Sequence, residues 1–112
     1  MNTPSPDTIH VLRLMNEYCV KQPTWCAEED LTGRFPEGLS KGLQTRLLAW
    51  AKVFIDNFDD ENRWPAGFDE VKYFEQGKEL AQTLANELKG RYRIKYIPMP
   101  YSMEPIFFEP NI

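Results

Sequence analysis

The side chains best suited to chemistry in this 112-residue sequence are few and scattered. His10 is the single histidine, so any proton relay through an imidazole would rest on it. It has no adjacent serine or cysteine, and a strand or surface histidine with no task is the simpler reading. Cys19 and Cys26 are the two thiols, too few for a zinc site with one histidine to help. Nothing beside Cys19 would activate it as a nucleophile. Asp56, Asp59, Asp60 and Glu61 are the most concentrated acids, and Glu28, Glu29 and Asp30 form a second cluster. Hard cations want several oxygens, but the first cluster lacks the Asp-x-Asp-x-Asp-Gly spacing and its turn glycine. Gly33, Gly38, Gly42 and Gly67 are dispersed and make no phosphate loop. No cofactor and no resident metal are expected, and the chain reads as a binding protein, not an enzyme.

Two readings of the charged clusters stay open. The seven acids Glu28, Glu29, Asp30, Asp56, Asp59, Asp60 and Glu61 are either a solvated surface or part of a contact surface for a protein partner. They are the candidate partner-binding residues. Arg91, Arg93 and Lys95, with Lys89 nearby, form a basic face that is either solvated or a second contact. A net charge of −4 argues against direct nucleic-acid binding, which needs a basic surface to displace counterions. The same charge permits a basic protein partner.

These residues need a scaffold, and the pattern predicts one domain over residues 1–112. Residues 1–7 are polar and proline-containing and read as a flexible leader. Thr8 to Tyr18 reads as a strand with apolar residues on both faces. Cys19 to Gly38 has no clean period; Trp25 and Cys26 form either a short strand or a loop plugged into the core. Ser40 is a suitable N-cap for a helix ending near Phe58. Leu43, Leu47, Trp50, Ala51, Phe54 and Phe58 form its apolar stripe, which Leu48 and Ile55 widen. Trp64 is expected to cap the helix pair. Asp69 opens a second helix whose stripe runs through Phe74, Gly77, Ala81, Leu84 and Leu88, with Lys89 in its last turn and Gly90 as terminator. Gly77 inside that stripe predicts close approach of another backbone.

Arg91 to Ile97 alternates strictly, with Tyr92, Ile94 and Tyr96 on one side, and is the clearest strand. Residues 98–112 form a proline-rich tail in which Ile106, Phe107 and Phe108 could dock as an edge segment. The fold class is α+β: a two-layer domain with a small sheet packed against a pair of helices. No apolar stretch is long enough to span a bilayer and no charged leader precedes an apolar run, which predicts a cytoplasmic protein with reduced thiols. The oligomeric state is not legible.

One combination resembles a known family. Asn-Glu-Tyr-Cys at Asn16 to Cys19 is followed by Pro-Thr-Trp at Pro23 to Trp25. Leu39 and Ser40 open a helix with Ala49 and Trp50 at its centre. Phe74, Gly77, Leu80, Ala81, Leu84, Glu87 and Leu88 then lead into Tyr92, Ile94 and Tyr96. Over Val11 to Tyr96 the chain resembles small bacterial immunity proteins, including those of contact-dependent growth inhibition. The resemblance implies no catalytic residues. It implies a protein that blocks one cognate toxin, many such toxins being nucleases with basic surfaces. An adaptor of a mobile element that binds a host protein is the alternative, and a small enzyme with a dispersed site is a third.

Overall fold

A computed structural model of the chain describes residues 9–99 and 103–112. Five strands and two helices follow in the order β1 (His10–Leu14), β2 (Thr24–Cys26), β3 (Leu31–Thr32), α1 (Lys41–Asn57), α2 (Glu70–Glu87), β4 (Tyr92–Tyr96) and β5 (Ile106–Phe108). The sheet order is β3-β2-β1-β4-β5. β1 and β4 pair in parallel at its centre, and the outer pairings are antiparallel. The two-layer α+β expectation holds, with both helices on one face of the sheet. The leader at residues 1–7 lies outside the described residues.

Each helix starts where its side chains can satisfy an open amide. Ser40 Oγ accepts from the Leu43 amide at 3.3 Å and donates to Glu87 of α2 at 2.9 Å, so the cap also ties the two helices together. Asp69 caps α2 by accepting from the Lys72 amide at 2.9 Å. Past α2, Leu88 is the C-cap and Gly90 adopts φ +82°, a left-handed turn that glycine enters without a Cβ clash. Lys89 therefore lies beyond the last turn, not within it, and its ammonium donates to the Ile112 carbonyl at 2.8 Å.

Leu43, Leu47, Trp50, Ala51 and Phe54 of α1 are buried, as the stripe predicts, but Leu48 is exposed. In α2 the buried set is Tyr73, Gly77, Leu80, Ala81, Leu84 and Ala85. The expected Phe74 is only half-buried, and Tyr73 takes its place at the first turn. Tyr73 wins because its ring stacks on Trp50 with centroids 5.0 Å apart, while its carbonyl accepts from the Trp50 indole at 3.2 Å. The buried Asn16 amide reaches the Tyr73 hydroxyl. Trp64 does close the end of the helix pair, stacked on Phe68 and edge-on to Phe58. Gly77 faces a close neighbour, but that neighbour is the Tyr96 ring tip and not a backbone.

The strands are shorter than the sequence pattern predicts. β1 stops at Leu14, and from there the Met15 amide donates to the Pro23 carbonyl and the Trp25 indole donates to the Met15 carbonyl. The first of these bonds extends the β1–β2 pairing by one position, and the chain leaves the sheet after Met15. Leu12, Leu14, Ile94 and Tyr96 are fully buried beneath the helices. β5 docks beside β4 as the outer strand, so the segment around Phe107 is an edge as expected.

Candidate interaction surface

No catalytic grouping assembles among the described residues, and no group of three metal-ligating side chains comes together there. His10 sits half-buried at the start of β1. Burial pushes the Cys26 thiol up, so it stays protonated, and its Sγ donates to Glu28 at 3.5 Å. Cys19 is exposed in a turn of positive φ. Tyr92 is pushed up to about 12 by burial and by its bond to Glu29. It remains a neutral donor at physiological pH.

All seven candidate acids are exposed, but they fall into two separate places. Glu28 and Glu29 lie in a 3-10 turn (Ala27–Glu29) closed by Asp30 in the left-handed region. Cross-strand pairing puts that turn beside the start of β1, where Glu29 meets Tyr92. Asp56, Asp59, Asp60 and Glu61 lie at the end of α1, next to Tyr18, which follows the other end of β1 and donates to the Phe58 carbonyl at 3.3 Å. The clusters thus flank opposite ends of the sheet. Several of these acids also have local roles. Asp56 pairs with Lys52 at 2.7 Å. Asp59 accepts from the Glu61 amide and the Asn62 side chain, and so builds its own turn.

The basic face is rearranged relative to the expectation. Arg91 precedes β4 and lies over the Tyr92 ring, beside a hollow shared with Glu29, Arg34 and Glu37. Arg93 and Lys95 do point away from the helices. The third cation on that face is Arg13 of β1, in register with Lys95. Register carries the row across all five strands as Thr32, Trp25, Arg13, Lys95 and Phe107. Val11 and Arg93 form a second, shorter row. Arg93 pairs with Glu109 and lies 3.9 Å above the Phe107 ring. A hollow of about 350 Å³ opens here between Val11, Arg13, Ala27, Glu28, Lys95 and Phe107. A second hollow, of about 300 Å³, lies between the helices over Trp50, Val53 and Leu80.

Arg13 and Trp25 were not assigned to any surface by the sequence pattern, whereas the aromatic tail around Phe107 was a fallback candidate. A signal for Arg13 was present: Val11 and Arg13 alternate with Leu12 and Leu14, the mark of a strand with one open face. No helix among the described residues is long and apolar enough to cross a membrane.

No curated protein matches the chain. The family model described as Serratia CdiI immunity protein-like matches residues 10–99, which run from the first residue of β1 to just past β4 and take in both helices and four of the five strands, β5 lying outside the match. The chain belongs to this family of contact-dependent growth inhibition immunity proteins.

Proposed function

We propose that the protein binds one cognate toxin, of nuclease type, in the cytoplasm and neutralises it by covering its working surface, with no catalysis of its own. The observation that carries this reading is the family match over residues 10–99, because it spans nearly the whole described domain. The exposure of both acidic clusters supports the choice of a nuclease. Nucleases present basic surfaces to their substrates, and an acidic inhibitor is drawn to them by long-range attraction.

The direct test is co-expression with the product of the gene immediately upstream. Rescue from its toxicity is the expected result, and undiminished killing would sink the reading.

The acidic clusters are tested by charge reversal at positions with the fewest local duties. Asp59 holds its turn and Glu29 binds Tyr92, so the suitable pairs are Asp60→Lys with Glu61→Lys, and Glu28→Lys with Asp30→Lys. Each pair is expected to slow association with the toxin by about tenfold at low salt and to flatten its salt dependence. Stopped-flow mixing at several ionic strengths measures both. Association rates equal to the parent's for both pairs would leave these acids a solvated surface.

A further inference from the structure

We infer that the open sheet face is a docking site for a carboxylate-bearing segment of the cognate toxin, gripped by Arg13 and Lys95 beside the Phe107 ring. The inference rests on the toxin-binding reading above and adds the surface and the chemistry of the contact.

The first ground is an unbalanced pair of charges. Arg13 and Lys95 stand in register on adjacent strands, where like charges repel across the short strand spacing. Their row holds no carboxylate. Among the described residues neither forms an ion pair, whereas the neighbouring Arg93 has Glu109. Glu28, the one acid lining the hollow, forms no ion pair with either cation and accepts from the Cys26 thiol at 3.5 Å. A sheet that keeps two adjacent cations with no carboxylate among the described residues in direct contact with either accepts a cost that an incoming carboxylate would reduce.

The second ground is the shape of the flanks. Phe107 is 42% exposed on the edge strand, and its ring already carries Arg93 on one side with the Lys95 ammonium 5.7 Å from its centre. Trp25 stands at the other flank, fixed by its indole bond to Met15. A hollow of about 350 Å³, lined by Arg13 and Lys95 with the Phe107 ring on one side and Val11, Ala27 and Glu28 around the rest, suits an acidic side chain on a peptide segment. A nucleic acid would need a longer stripe of cations, and the chain as a whole is negative. A toxin that is basic overall still carries carboxylates, and this face selects a patch of them.

The test uses the full chain and the toxin domain encoded immediately upstream, inactivated by mutation. Arg13→Glu places opposite charges in register at the centre of the sheet. It is expected to raise the melting temperature by about 1–5 °C while weakening toxin binding about tenfold or more. Arg13→Lys should bind within about threefold of the parent. A merely structural arginine would not give a more stable protein that binds worse. If the parent binds the toxin and Arg13→Glu and Lys95→Glu both bind equally well, the docking proposal falls and the immunity reading stands. If the parent does not bind this toxin, both fall. A single-stranded RNA oligonucleotide is titrated in parallel. RNA binding by the parent that Arg13→Glu abolishes would reassign the face to nucleic acid and overturn the proposal.

Discussion

Replacing Gly77 with alanine is expected to destabilise the protein, although alanine is the better helix former by about 1 kcal/mol. A Cβ on Gly77 would come within 2.8 Å of Trp50 Cζ2 and closer still to Tyr96 Oη and Cζ. A flexible tip could swing aside, but Tyr96 is fully buried. Its ring is held between Trp50 and Phe74, with centroids 5.9 Å from each. The alternative to moving the ring is lifting α2 off β4. Overpacking of this kind costs about 1–3 kcal/mol and sometimes more. The clash is therefore expected to outweigh the propensity gain of about 1 kcal/mol, with a net loss of up to about 2 kcal/mol and a melting temperature lower by up to about 10 °C. Thermal unfolding followed by circular dichroism measures it. An alanine variant as stable as the parent would show that the tyrosine has room to move.

Leu84→Ala is expected to cost about 2–5 kcal/mol. Leu84 is 0% exposed on the inner face of α2 and belongs to the same core as Leu12, Leu47 and Ile94. Truncation at a position with no solvent contact leaves a void in the close-packed layer between helices and sheet. The midpoint of urea unfolding should fall with an unchanged slope, because the surface exposed on unfolding stays nearly the same. A loss below about half a kcal/mol would mean the helix can turn this position to solvent.

What could be read from the sequence depended on period. α1 was legible because Leu43, Leu47, Trp50 and Phe54 repeat at helical steps behind a serine cap. β4 was legible from strict alternation. α2 was misread at its start because Tyr73 and Phe74 are adjacent aromatics, and only the stacking partner Trp50 decides which one turns inward. The parallel pairing of β1 with β4 was not legible at all, since no local signal specifies a strand partner so distant in sequence. The surface suffered most from this. The acids were found because they cluster in sequence, but the fold sends the two clusters to opposite ends. The Trp25–Arg13–Lys95–Phe107 row is assembled by register alone, from four strands that are nowhere contiguous.

The central β1–β4 pair also sets how late in synthesis the sheet can be completed. Its two strands are about 80 positions apart, and α1 and α2 have no complete sheet to cover until the second one exists. At about 5–20 residues per second, a ribosome takes about 4–16 s to travel from one strand to the other. During that interval Leu12 and Leu14 have only the short β2 beside them. The nascent chain therefore carries these leucines without their parallel partner until β4 has been made, and the row that ends at Phe107 is complete only once β5 has followed.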